Sequence, residues 1–391
     1  MKYLQSRSLN RKSLRLASTL GILTTSLLFN ACFLNKKQAS GPATPLPHQR
    51  SAELGPKALQ PVGRTRLGDD GLELISTAAH FSVQFTGSTC KATFALAKNV
   101  GVGYIQYELD GRYGERIKVE KGAAKEVDIT AVSEGRHTLT IYKTTEATTG
   151  GILVLKIQAP DVQSFMPRRK SFIEFIGNSI TCGAASDVSE GPCGTGVYGD
   201  HHNSYFAYGP RVARALNCEF IVNSVSGIGC YRNWNSDGPT MPQVYDRLTL
   251  NINERTPWDF SSVKPDVISI ALGTNDLSNG DGKVPRGAFD NDKFVETYIN
   301  FISRLKQMHP GVKIALLNSP MMKGEKKQTL ETCLSRVKAG VDQKFPNDKP
   351  VALIYFHNII TPRGCTGHPS IEDHEIMAKD VTSDYKKLLS L

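Results

Sequence analysis

The chain has 391 residues with 47 Lys and Arg against 37 Asp and Glu, a net charge of +10, and it is 40% hydrophobic and 21% charged, with 34 Gly and 20 Pro. That composition excludes collagen-like, low-complexity and wholly disordered chains, and the length favours two domains. Five of the cations (Lys2, Arg7, Arg11, Lys12 and Arg15) sit in the first 31 residues, which hold no acid; without them the excess is +5, with no basic stripe to serve a nucleic-acid partner.

Those cations precede an apolar run, residues 16–29, too short to cross a bilayer and typical of a secretory leader. The run ends Leu28-Phe29-Asn30-Ala31-Cys32, which resembles a bacterial lipobox with Phe29 where Leu is usual. Residues 1–31 therefore read as a lipoprotein signal peptide, with Cys32 as the lipidated residue. Ordinary cleavage nearby, with Cys32 incidental, is the alternative. Residues 32–63, rich in Lys, Ala, Pro, Gln and Ser, are expected to form a flexible tether. The mature protein is then exported and touches a membrane only through its lipid.

Residues 64–165 alternate apolar and polar positions in short runs, such as 80–85, 91–96, 104–109, 115–119 and 138–142. Thr86-Gly87-Ser88, Asp110-Gly111 and Glu134-Gly135 punctuate them. Period two with frequent turns predicts an all-β unit of jelly-roll type. Beyond residue 166 the pattern changes. Continuous apolar strands at 172–176, 219–223, 267–272, 312–317 and 351–356 alternate with helices at 204–216, 292–309, 326–345 and after Pro369. This predicts a parallel sheet covered by helices on both faces, a three-layer α/β sandwich whose ligands gather at the carboxyl ends of the strands.

Four loops follow those strands. Gly177-Asn178-Ser179-Ile180 places a serine on a tight turn into a helix, either as an exposed nucleophile or as a plain N-cap. Ser226-Gly227-Ile228-Gly229 offers an unobstructed backbone N–H, or simply a turn. Gly273-Thr274-Asn275-Asp276 offers a side-chain amide that can face an oxyanion or cap a helix, and His368-Pro369 holds an imidazole at the last helix entrance. Singly each is weak; together they supply what a serine esterase needs.

These four segments resemble the blocks of the SGNH (GDSL) hydrolases over residues 170–391. Further segments are similar to carbohydrate esterase family 2: Gly63-Arg64-Thr65, Asp110-Gly111, Gly135-Arg136-His137-Thr138, Lys143-Thr144-Thr145-Glu146, Asn203-Ser204-Tyr205, Arg232-Asn233 and Gly364-Cys365. The resemblance implies an SGNH-hydrolase three-layer sandwich behind a jelly roll, acting as an acetyl esterase on decorated polysaccharides or oligosaccharides. It implies Ser179 as nucleophile, His368 as general base, and an oxyanion hole formed by the Ser179 N–H, the Gly227 N–H and the Asn275 side chain. Two of the blocks depart from the pattern. Asn178 replaces the usual Asp, and Cys365, Thr366 and Gly367 leave the imidazole without a triad acid. A Ser–His dyad is therefore expected, with a backbone carbonyl at or near Cys365 fixing the tautomer.

Among Tyr198, Tyr205, Tyr231, Trp234 and Trp258, Trp234 is the leading substrate-contacting aromatic because it follows the Gly227 loop. Besides Cys32 there are seven cysteines, so at least one is unpaired; Cys182 and Cys193 flank a loop and are either bridged or two buried thiols. With no CxxC and no Cys/His cluster at zinc spacing, no metal and no cofactor is expected. A monomer is expected. The rival functions are a lipid or simple acyl esterase and a non-catalytic glycan-binding lipoprotein on an esterase scaffold.

Overall fold

Inward-facing apolar residues at every second position drive the first domain. In the strand His80–Thr86, Phe81, Val83 and Phe85 enter one core, while Ser82 pairs with Thr140 across the sheet at 2.7 Å. In the computed structural model, which describes residues 51–97, 101–283 and 285–391, such strands build two antiparallel sheets. One runs Thr65–Gly68, Gly71–Leu74, Ile152–Pro160, Thr89–Leu96, Lys125–Thr130. The other runs Gln163–Phe165, His80–Thr86, Arg136–Lys143, Val102–Leu109, Arg112–Glu120. The expected tether needs correction at its end: Ser51–Leu54 is a strand paired antiparallel with Ile152–Pro160, and Pro56–Ala58 is a 3₁₀ turn. The spacing of Ala52 and Leu54, both packed on the sandwich core, carried too little signal to show this. The leader and Cys32 lie outside the described residues.

The second domain holds a parallel sheet in the order Glu219–Ser224, Phe172–Gly177, Val267–Ala271, Lys313–Leu317, Ala352–Ile354. Asn291–Met308 and Gly324–Lys344 cover one face through Phe294, Phe301, Leu330 and Leu334; Tyr208–Ala215 and Ile371–Leu389 cover the other through Val212, Met377 and Tyr385. This is the SGNH three-layer architecture behind a β-sandwich. The chain enters at Phe172–Gly177, moves to the edge strand Glu219–Ser224, then crosses back to Val267–Ala271. That reversal opens a crevice at the carboxyl ends, where the Ser179, Gly227 and Asn275 loops emerge.

Residues 204–216 are not one helix. A 3₁₀ turn, Ser204–Phe206, is separated from the α-helix Tyr208–Ala215 by Ala207 in an extended conformation. Pro210 has no N–H for the Phe206 carbonyl, so the helix cannot extend back through that turn. The Ser204 backbone and hydroxyl instead bond the Thr144 and Lys143 carbonyls of the β-sandwich, both at 3.1 Å.

The two domains are joined by buried polar groups. Arg64, fully buried, donates to Asn223 Oδ1 (2.7 Å), the Tyr245 carbonyl (2.7 Å) and the Arg247 carbonyl (2.6 Å), and lies 3.8 Å from the Trp258 ring centre. Burial brings its pKa down to about 10. Glu174, the acid inside the central strand, accepts from Asn223 Nδ2 at 2.6 Å and the Tyr245 hydroxyl at 2.7 Å. The described residues thus form one compact unit, with the edge strand Glu219–Ser224 clamped from the β-sandwich side.

Candidate active site

The serine turn begins where Phe172–Gly177 ends. Asn178, not Ser179, is the N-cap of the short helix Ser179–Cys182: its Oδ1 accepts the Ile180 N–H at 3.1 Å. An amide oxygen thus does the capping at Asn178, and Ser179 occupies the first helical position with its hydroxyl uncommitted to capping. The left-handed Gly183 (φ 67°) closes the helix after one turn; an added Cβ there would meet the Asn203 carbonyl at 2.7 Å.

Gly227 has φ 77° with open space where a Cβ would project. Its loop is fastened downstream at several points. Trp234 N–H donates to the Gly227 carbonyl (2.9 Å), Asn275 Nδ2 to the Ile228 carbonyl (2.7 Å), and Gly229 N–H to Asn233 Oδ1 (2.9 Å). The buried Asp276 carboxyl accepts the backbone N–H groups of Cys230, Tyr231 and Arg232. Burial raises its pKa against the lowering effect of those donors. The Asn275 amide is therefore tied to the Gly227 loop by one N–H, leaving the second available; it does not cap a helix.

His368 is partly buried, and the loop around it is bonded to the segment after the serine helix: Cys365 N–H donates to the Ala185 carbonyl (2.8 Å) and Ile371 N–H to the Ser186 carbonyl (3.1 Å). Nδ1 lies 3.1 Å from Thr366 Oγ1, and the His368 N–H donates to the Cys365 carbonyl at 3.0 Å. Thr366 adopts φ 50°, an unfavourable setting for a branched side chain that puts its hydroxyl beside the imidazole. Burial lowers the His368 pKa below its ordinary 6.5, helped by nearby His202 and opposed by the Cys365 and Thr366 backbone dipoles and by Glu146. Among the described residues the Ser179 hydroxyl makes no hydrogen bond to His368; such contacts commonly tighten only when substrate binds. Asp373 is held by Arg363 and Ser370, and Glu372 accepts from the Ser370 hydroxyl, so neither serves the ring.

Trp234 is 44% exposed and lines a cleft of about 420 Å³ with Ser226, Gly227, Asn233 and Asn251. Tyr198 joins this edge, its hydroxyl donating to Ser226 Oγ at 2.8 Å. Of the other aromatics, Trp258 packs on Arg64, Tyr205 is buried with its hydroxyl on Glu108, and Tyr231 packs on Phe289 and Phe294.

The cysteine expectation is corrected. Cys193 bridges Cys365 across 172 positions, while Cys182 is a free, buried thiol beside Glu146 and Ser224. Local loop closure suggested the nearer partner, but the loop after Cys182 is drawn toward the His368 turn instead. Because the Cys365 carbonyl also accepts the His368 N–H, Cys193→Ser is expected to cost about 2–4 kcal/mol of stability and to lower kcat. Denaturant unfolding and turnover measured on the same preparation check both.

Sequence reading also missed Glu146, which enters from the β-sandwich; only the quoted Lys143-Thr144-Thr145-Glu146 segment could have pointed to it. Among the described residues no group of three or more His, Cys, Asp or Glu is placed to hold a metal, and no helix is long and apolar enough to cross a membrane.

The sheet order, the covering helices and the loops at the strand ends define an SGNH-type hydrolase domain behind a β-sandwich. Residues 175–345 match the GDSL-like Lipase/Acylhydrolase family, and residues 61–168 match the Carbohydrate esterase 2 N-terminal family. The chain thus carries a GDSL-like lipase/acylhydrolase domain behind a carbohydrate esterase 2 N-terminal domain. It is 29% identical over 341 residues to Cellulase/esterase CelE of Acetivibrio thermocellus, covering 84% of this chain and 39% of that protein. It is 27% identical over 309 residues to an Acetylxylan esterase / glucomannan deacetylase of Cellvibrio japonicus, covering 77% of this chain and 81% of that protein. A family two carbohydrate esterase from Clostridium thermocellum, solved in complex with cellohexaose, superposes with a TM-score of 0.73 at 27% identity, covering 87% of this chain and 99% of that one.

Proposed function

We propose that the chain is a serine esterase that removes O-acetyl groups from polysaccharides or oligosaccharides of the acetylxylan or acetylglucomannan type. The observation that carries this reading is the way the loops are tied: the Asn275 amide is bonded to the loop of Gly227, and the segment after the Ser179 helix is bonded on both sides of His368. The substrate class rests on the curated relatives, one named as an acetylxylan esterase and glucomannan deacetylase. The chain spans 39% of CelE, so nothing of that protein's cellulase chemistry is assigned to it.

In this mechanism His368 Nε2 takes the Ser179 proton as Oγ attacks the acetyl carbonyl. Negative charge builds on the carbonyl oxygen, and the N–H groups of Ser179 and Gly227 and the free N–H of Asn275 receive it. The sugar alkoxide leaves with the proton returned by His368. Water then repeats the cycle on the acyl-enzyme, releasing acetate. Among the described residues no carboxylate hydrogen-bonds the imidazole; the Thr366 hydroxyl, 3.1 Å from Nδ1, orients it.

Acetate release from acetylated xylan and glucomannan tests the reading. Comparison of acetyl with octanoyl chromogenic esters separates it from a lipid esterase: preference for octanoate, with no acetate released from either polymer, would refute it. We further assign export and lipid anchoring through Cys32, on the leader and the resemblance of residues 28–32 to a lipobox. Metabolic labelling with a fatty-acid analogue, lost in Cys32→Ala, checks it.

The direction of the His368 shift also predicts the pH profile. The base acts when neutral, so activity rises with pH through its pKa. Burial lowers that pKa, so half-maximal kcat/KM is expected below pH 6.5. A midpoint at or above pH 7 in a profile with a chromogenic acetate would contradict it.

A further inference from the structure

We propose that Glu146, contributed by the β-sandwich, is a positioning residue for the oxyanion loop: its carboxylate holds the Ser226 amide and thereby sets the peptide that presents the Gly227 N–H. This rests on the esterase reading above. Glu146 Oε2 accepts the Ser226 N–H at 2.7 Å, one residue before Gly227. Downstream of Gly227 the loop is fastened within its own domain, by Asn233, Asn275 and Asp276. Upstream, the other backbone bonds found among the described residues are longer, Val225 N–H to the Gly177 carbonyl and Ile228 N–H to the Val225 carbonyl, both at 3.4 Å, while the Tyr198 hydroxyl holds only the Ser226 side chain. The peptide entering a left-handed glycine is thus braced chiefly from the neighbouring domain.

The brace is itself fixed. Lys143 Nζ donates to the Glu146 carbonyl at 2.8 Å, Thr149 Oγ1 donates to the same oxygen at 2.8 Å, and His202 Nε2 lies 3.6 Å from Oε1. Cys182 Sγ, on the serine helix, lies 3.3 Å from Oε2, so one carboxylate touches both the nucleophile's helix and the oxyanion loop. Although burial opposes ionisation, His202 and the Ser226 N–H bring the Glu146 pKa down to about 2. The acceptor is therefore charged throughout the working range, which strengthens the bond to the amide.

Steady-state kinetics on the full chain with a chromogenic acetate tests the proposal. Glu146→Ala is expected to lower kcat by about 10²-fold, the scale of a misaligned oxyanion donor, with KM within about threefold. Glu146→Gln, which keeps an acceptor oxygen in place, is expected to recover most of that loss. Wild-type kcat in Glu146→Ala, or a folded Gln variant as impaired as the Ala one, would overturn it. Should Glu146→Ala fail to fold, amide hydrogen exchange on the unmodified chain decides. The Ser226 N–H is expected to exchange about 10²-fold or more slower than an exposed amide, and exchange at the exposed rate would overturn the brace. An unmodified chain that releases no acetate defeats the esterase reading instead, and the exchange measurement still reports on the Glu146 contact.

Discussion

Ser179→Ala is expected to remove acetate release almost entirely, a fall of about 10⁴-fold or more in kcat. In the proposed mechanism the hydroxyl supplies the electron pair that bonds the acetyl carbon, which alanine cannot do. The change should leave the fold intact. Asn178 carries the helix cap, Ser179 sits at the first helical position, and alanine is a good helix former. An unchanged Tm together with lost turnover and lost labelling by a fluorophosphonate is the expected result. Wild-type turnover in a folded Ser179→Ala chain would end the assignment, because no other residue at the carboxyl edge is offered as nucleophile.

Asn275→Ala is expected to lower kcat by about 10²–10³-fold, corresponding to about 2.7–4 kcal/mol of lost stabilisation of the oxyanion. The effect should fall on kcat more than on KM, since the developing negative charge exists in the transition state and not in the bound ester. Two functions are lost at once: the free N–H aimed at the oxyanion, and the strut from Nδ2 to the Ile228 carbonyl at 2.7 Å. Asn275→Asp separates them from simple size. It keeps the shape but sets an acceptor against the Ile228 carbonyl and a negative charge beside the oxyanion, so it should be at least as damaging as alanine. An Asp variant that retains wild-type kcat would remove Asn275 from the oxyanion hole.

Much of the architecture was legible because it is local. Alternation in the runs around Phe81 and Ile105 encodes strands with one buried face, and the continuous run around Ile268 encodes a strand buried on both. Strand ends then mark where loops must surface, which is why the loops carrying Ser179, Gly227 and Asn275 could be placed at the carboxyl edge of the sheet. Local reading erred where a neighbour displaces a pattern. The helix expected at 204–216 breaks because Ser204 bonds the β-sandwich and Pro210 cannot serve the turn before it. The Ser179 cap alternative failed because Asn178 took the cap. The aromatic candidates divided by burial: Trp234 and Tyr198 face the cleft edge, while Tyr205 and Trp258 are structural.

From the order of residues alone came the two domains' periodicities, the four strand-end loops and the family they resemble, since each is written in contacts between positions a few residues apart. The folded molecule decided which cysteine closes on Cys365, which carboxylate reaches the Ser226 amide, and which hydroxyl lies beside the His368 imidazole. The first two join positions 172 and 80 apart, and the third depends on the left-handed turn at Thr366. Long-range partners are selected by the packing of whole sheets and helices, and no spacing rule along the chain records that choice.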